Sequence, residues 1–222
     1  MRDAASRRFR LLVFDWDGTL SDSTTMIGEA IQAACRDVGE PEPDTTSARF
    51  VIGLGLADAL QRVAPALPPA RYPELSARFR HHYLAREDDI PLFAGAADLL
   101  QELDEAGYLL AVATGKNRIG LGRALGKNGL ATRFHATRCA DEGMPKPHPD
   151  MLLHLMNRLD VAPAQTLMIG DTTHDLELAR NANTAALAVA YGAHEKAGLA
   201  ALRPETVAHS IEELRAWLVT HG

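Results

Sequence analysis

The sequence predicts an α/β fold: a Rossmann-like parallel sheet flanked by helices, with an all-helical cap domain inserted after the first strand. Three observations predict it. Short unbroken apolar runs end abruptly at polar residues, helical patterns fill most gaps between those runs, and one long stretch carries helical stripes with no convincing strand. Unbroken apolar runs fit strands covered on both faces, as in a parallel sheet, whereas half-exposed strands alternate. Strands alternating with helices then give the α/β class.

The first run, Leu11-Leu12-Val13-Phe14, ends at Asp15. From Ser23 to about Ile90 the chain reads as successive helices. Ile27, Ile31, Cys35 and Val38 form one stripe stopped by Gly39; Leu56, Leu60 and Val63 form a second; Tyr72, Leu75, Phe79 and Tyr83 a third. Pro41, Pro43, Pro65, Pro68 and Pro69 punctuate the joints. The cap is therefore expected over residues 22–90, and the catalytic core over 1–21 and 91–222. A helix from Ala96 to Ala106, with Leu99, Leu100 and Leu103 on one face, stops at Gly107. The second run, Leu109 to Ala113, ends at Thr114. A helix over Met151 to Leu159 starts after Pro149, a proline tolerated in a first turn. The third run, Leu167 to Gly170, ends at Asp171, and a helix from Asp175 to Ala182 leads to a further run at Ala185 to Val189.

Composition narrows the function classes. The 222 residues suit one domain, or one carrying a smaller insert, and can bury a core without disulfide or metal staples. A 46% hydrophobic and 23% charged chain is ordinary for a globular protein, which excludes disorder and fibrous structure. The net charge of -6 argues against nonspecific nucleic-acid binding but leaves room for a local site that takes a small anion. Cys35 and Cys139 lie far apart in no metal-ligand spacing, as reduced thiols of a cytoplasmic protein would. The apolar run after Arg7, Arg8 and Arg10 is too short for a signal-peptide core or a membrane span. A soluble cytoplasmic protein is expected, as monomer or homodimer.

The polar residues that end the strands carry the chemistry. Asp15-Trp16-Asp17-Gly18-Thr19-Leu20 follows the first strand, and a turn at Gly18 can bring both carboxylates toward one pocket. Thr114-Gly115-Lys116-Asn117 opens a helix, where a threonine often only caps but where a hydroxyl and free N–H groups also make an anion site. Lys146, in Pro145-Lys146-Pro147-His148-Pro149, sits on a chain stiffened by three prolines. Asp171 and Asp175, in Gly170-Asp171-Thr172-Thr173-His174-Asp175, can face the same side of a first helical turn. Each feature alone is equally a turn, a cap or a rigid loop. Together, Asp15, Thr114 and Asp171 occupy the carboxyl ends of parallel strands, where open α/β sheets bind ligands. Clustered carboxylates call for a cation, and hard oxygen ligands without histidine or cysteine partners favour Mg²⁺. His148 reads as a surface or capping residue, and His174 has no partner at zinc spacing.

Taken in order, these four motifs resemble those of the haloacid dehalogenase-like hydrolase superfamily from about Phe9 to Leu218, and the helical insert resembles the subgroup that includes phosphoglycolate phosphatase. The resemblance implies that Asp15 attacks phosphorus and that Asp17 protonates the leaving oxygen and then assists water. It implies Mg²⁺ on the Asp15 carboxylate, the Asp17 backbone carbonyl and Asp171, with Asp175 behind them. Thr114, the N–H of Gly115 and Lys146 would bind the phosphoryl oxygens of a small phosphorylated metabolite. Trp16 departs from the pattern, which expects a smaller apolar residue there. The insert would act as a lid, with Arg49, Gly53 and Gly55 in the segment nearest the substrate. That segment equally reads as a plain helix–helix turn, and Arg71, Arg78, Arg80 and Arg86 as a solvated helix face.

Three rivals share part of this pattern. A dehalogenase needs neither Asp17 nor the metal cluster. A sugar phosphomutase would use the same four motifs, though Gly18-Thr19 looks more like the phosphatases. A phospho-acceptor signalling module is shorter and lacks both the insert and Asp-x-Asp-Gly-Thr-Leu.

Overall fold

Among the described residues, six parallel strands build one sheet: β1 (Leu11–Phe14), β2 (Leu109–Thr114), β3 (Ala136–Cys139), β4 (Thr166–Gly170), β5 (Ala185–Val189) and β6 (Val207–Ala208). Their spatial order is β3-β2-β1-β4-β5-β6. The structure is a computed structural model and describes residues 7–222. Leu11 of β1 lies opposite Leu109 of β2 on one side and Thr166 of β4 on the other, so β1 is central. The chain order reverses between β1 and β4, and the crevice beyond their carboxyl ends is where such sheets take ligands.

Alternation along β1 covers both faces of the sheet. Leu12 and Phe14 join Leu99, Leu100 and Leu103 of α5 (Ala96–Glu105) and Leu214 and Leu218 of α10 (Ile211–His221). Leu11 and Val13 join Met151, Leu152 and Leu155 of α7 (Asp150–Leu159) and Leu178 and Ala179 of α8 (Thr173–Asn181). Between β2 and β3 runs α6 (Arg118–Lys127), and α9 (Lys196–Ala201) follows β5. All four strands expected from the apolar runs are present. The strands β3 and β6 are additional, and Trp16, buried in the first cluster, serves packing.

Between β1 and β2 lie α1 (Thr24–Asp37), α2 (Thr45–Phe50), α3 (Leu56–Val63) and α4 (Tyr72–Leu84). Ile31, Cys35, Val38, Leu60 and Leu75 from the sequence stripes share a cluster of their own, separate from the sheet's two faces. Burying those stripes against one another is what holds the four helices together. Two linkers join this unit to the sheet, and they run side by side. The Asp22 N–H donates to the Pro91 carbonyl at 3.0 Å and the Phe93 N–H to the Leu20 carbonyl at 2.9 Å. Among the described residues, no helix is long and apolar enough to cross a membrane.

Candidate active site

Asp15 is the first residue past β1, and its N–H extends the pairing by donating to the Ile169 carbonyl at 2.9 Å. The chain then folds back at once: the Leu20 and Ser21 N–H groups both donate to the Trp16 carbonyl, at 3.0 and 2.9 Å. Gly18 makes this turn with φ of +85°, and a Cβ there would run into the Asp171 carboxylate and Thr24. Only glycine satisfies both conditions. Within the turn, Ser23 Oγ donates to Asp17 Oδ1 at 2.7 Å.

Thr114 ends β2, next to β1, and its Oγ1 accepts the Lys116 N–H at 3.1 Å. Thr114 is not the cap of α6. That place belongs to Asn117, whose side chain accepts the Gly120 N–H at 2.8 Å. Asp175 does cap its helix: its Oδ2 accepts the Thr172 N–H at 3.1 Å and the Thr172 hydroxyl at 2.7 Å, while Thr172 Oγ1 accepts the Asp175 N–H in return. That leaves Asp175 Oδ1 for Lys146, whose Nζ donates to it at 2.6 Å. The same ammonium lies 2.7 Å from Asp15 Oδ1, an ion pair outside hydrogen-bonding angles. Asp171 accepts on both oxygens, from the Thr19 hydroxyl at 2.9 Å and the Ala193 N–H at 2.7 Å.

Asp15, Asp171 and Asp175 therefore each bring a carboxylate oxygen within 4.8 Å of the others, all buried. Burial raises Asp15 well above the usual carboxylate range; Lys146 opposes that rise, and Asp175 and Asp171 add to it. Burial and then Asp175 push Asp171 up to about 7, against the hydrogen bonds from Ala193 and Thr19. For Lys146 burial works downward, but Asp15 and Asp175 outweigh it and the ammonium stays charged. Three carboxylates facing one lysine are short of positive charge. Asp15, whose oxygens accept no aligned hydrogen bond, has lone pairs free for a cation and for a substrate. Oxygen donors of this kind could hold a metal ion.

The helical unit is seated on the site. Gly53 lies against Thr172, Gly55 against Ala140 and Pro145, and the Gly53 and Leu54 carbonyls press on Gly115. Phe50 anchors this segment: its carbonyl accepts from His174 Nε2 at 2.8 Å and His194 Nε2 at 2.9 Å, and its ring stacks on His194. The Arg49 guanidinium donates to the Gly192 and Ala193 carbonyls, at 2.6 and 3.4 Å, so it binds the loop that holds Asp171. His148 acts as a cap, its Nδ1 accepting the Asp150 N–H at 3.2 Å.

The structure thus brings Asp15, Lys146, Asp171 and Asp175 together at the switch point, with Thr114 on the neighbouring strand end; the Asp17 carboxylate meets Ser23 and Lys116. Sequence reasoning missed Thr19 and Ser23, which donate to Asp171 and Asp17, Lys116, whose ammonium lies 3.1 Å from Asp17 Oδ1, and the loop from Gly192 to His194. Thr19 and Lys116 stood inside the motifs and could have been weighed. The others come from elements that no sequence pattern links to the site.

Comparison with known proteins agrees with this geometry. A family model described as haloacid dehalogenase-like hydrolase matches residues 12–189. A protein of Dickeya dadantii named "Probable phosphatase IndB" is 37% identical over 210 residues, spanning 92% of this chain and 91% of that one. A phosphoglycolate phosphatase of Vibrio vulnificus is 32% identical over 218 residues, 94% of this chain and 95% of that one. The solved structure of a haloacid dehalogenase-like family hydrolase from Streptococcus pneumoniae superposes with a TM-score of 0.81 at 28% identity, covering 95% of this chain and 98% of that one. With the motifs in order on the matching fold, the chain belongs to the haloacid dehalogenase-like hydrolases.

Proposed function

We propose that this protein is a Mg²⁺-dependent phosphatase of small phosphomonoesters, phosphoglycolate among them, that works through a phosphoryl-aspartate on Asp15. One observation carries the reading: a buried carboxylate at the switch point, free of aligned donors, stands beside a buried lysine and two further carboxylates. The names of the relatives from Dickeya dadantii and Vibrio vulnificus support it.

In the first step an Asp15 oxygen bonds to phosphorus as the ester P–O bond breaks, and Asp17 gives its proton to the leaving oxygen. In the second, water attacks phosphorus, Asp17 takes a proton from it, and the Asp15–phosphorus bond breaks. Splitting the displacement gives two lower barriers. Lys146, Thr114 and the Gly115 N–H hold the phosphoryl oxygens, supplying the charge and alignment on which phosphoryl transfer depends. Asp15, the Asp17 carbonyl and Asp171 would hold Mg²⁺, with Asp175 fixing Lys146. When bound, the ion neutralises charge on the phosphoryl group. Residues 22–90 form the cap, and the loop at Gly53 and Gly55 faces the substrate.

The test is phosphate release from a panel of phosphomonoesters, with and without chelator, for the native protein and Asp15→Asn. Stoichiometric free phosphate, lost on chelation and in Asp15→Asn, is the expected result. Near-native turnover by Asp15→Asn would end the nucleophile assignment. Conversion of a sugar phosphate to its isomer without phosphate release would make the protein a mutase.

A further inference from the structure

Lys116 has no part in the scheme above, yet it is nearly enclosed, its side chain 10% exposed. Its Nζ lies 3.1 Å from Asp17 Oδ1 and donates to Tyr83 Oη at 2.7 Å. The ammonium stands 4.8 Å from the centre of the Tyr83 ring, which stacks on Phe79 in the same helix, α4. Tyr83 is buried and belongs to the helical unit, whereas Lys116 and Asp17 belong to the sheet's loops. One lysine therefore bridges the cap and the acid.

The contacts on Asp17 are lopsided. Oδ1 meets both the Lys116 ammonium and the Ser23 hydroxyl; among the described residues Oδ2 takes no hydrogen bond. A carboxylate held at one oxygen by a hydroxyl's hydrogen bond and an ion pair cannot turn freely, and its other oxygen is free of such contacts. We infer that Lys116 is a positioning residue that aims Asp17 Oδ2 at the leaving oxygen, and that Tyr83 ties that aim to a seated cap. When α4 lifts away, Lys116 loses its second anchor and the acid loses its alignment. The inference deepens the proposed phosphatase reading and rests on Asp17 being the acid.

Leaving groups distinguish this role from a merely structural one. An alkoxide needs a proton as its bond to phosphorus breaks, whereas a nitrophenolate does not. The value of kcat/KM reports events up to departure of the alcohol, so hydrolysis of the phosphoryl-aspartate does not mask them. Phosphoglycolate (or glycerol phosphate, if phosphoglycolate is not a substrate) and 4-nitrophenyl phosphate are the probes, with Mg²⁺ present. General acid catalysis typically contributes roughly 10²–10⁴-fold, so Lys116→Met should lower kcat/KM for the alkyl ester about 10²-fold and for the aryl ester less than about threefold. Tyr83→Phe, which keeps the ring, should shift the ratio the same way by about tenfold, the share of one charge-assisted hydrogen bond. Lys116→Arg should restore part of the loss. The double variant Asp17→Asn/Lys116→Met should be no slower than Asp17→Asn, because the two residues act as a unit.

Equal losses on both esters, or additive losses in the double variant, would overturn the inference. Should Lys116→Met fail to fold, an unchanged ester ratio in Tyr83→Phe would overturn it alone. If Asp15→Asn stays active, the phosphoryl-aspartate reading has failed; if Asp15→Asn is dead and Lys116→Met is unselective, only the role of Lys116 falls.

Discussion

Replacing Gly115 by alanine adds one methyl group at the seam between the helical unit and the sheet. Its Cβ would lie 2.5 Å from the Leu54 carbonyl oxygen, 2.7 Å from the Gly53 oxygen and 2.9 Å from the Gly53 carbonyl carbon. All three are backbone atoms, which cannot rotate aside as a side chain would. Ordinary contact begins at 3.4 Å, so the loop has to retreat by about 0.9 Å, the difference from 2.5 Å. Gly115 is not among the glycines with positive φ, so its own backbone accepts alanine. The strain therefore falls on the seated cap and is relieved when the cap lifts. A misplacement of about 1 Å can cost about 10²-fold in rate, so kcat/KM should fall about 10²-fold. Overpacking typically costs about 1–3 kcal/mol, and cap opening should hold the loss of global stability to the lower end. Steady-state phosphate release and a thermal melt measure the two effects. A folded Gly115→Ala protein with kcat/KM within about twofold of the parent would refute the reasoning, since the expected loss is about 10²-fold.

Three other expectations follow from the same contacts. A Cβ at Gly192 would strike the Asp171 carboxylate, so Gly192→Ala should weaken Mg²⁺ binding about 10–100-fold, read as the Mg²⁺ concentration giving half-maximal activity. Mg²⁺ should raise the melting temperature of the native protein by offsetting repulsion among Asp15, Asp171 and Asp175, and should raise it much less in Asp171→Asn; equal shifts in a calorimetric scan would count against these ligands. Burial pushes the Cys35 thiol up to about 11 and Cys139 up to about 12. At pH 8 about 0.1% of Cys35, and less of Cys139, is then thiolate, so mass spectrometry should find neither alkylated by iodoacetamide until the protein is unfolded.

The sequence made the centre of the fold legible and left its margins obscure, for a physical reason. β1, β2, β4 and β5 appear as apolar runs because helices cover them on both faces. β3 is an edge strand whose middle residues, Thr137 and Arg138, are only partly buried, and β6 has two residues. Neither makes a run long enough to show a pattern. α2 is equally short, six residues capped by Asp44. The site followed the same division. Asp15, Thr114 and Asp171 could be read because each ends a visible strand. The Ala193 N–H is a backbone group with no side-chain signature, and it reaches Asp171 from 22 residues away. Arg49 stood in the segment expected nearest the substrate, and what the sequence could not show is that its guanidinium holds backbone carbonyls at Gly192 and Ala193. Asp175 was legible as a cap, since one oxygen accepts at the start of α8, but the contact of its other oxygen with Lys146 had no signal in the sequence.

The paired linkers have a consequence for how such a protein can diversify. Because residues 20–22 and 91–93 lie within hydrogen-bonding distance of each other, everything between them is an excursion that leaves the sheet and returns to the same spot. A longer, shorter or wholly different excursion could be spliced there without undoing the pairing of β1 with β4, which is made independently of it. The helical unit and the sheet are thereby written in separate stretches of the chain, and one can be revised while the strand pairing of the other is kept.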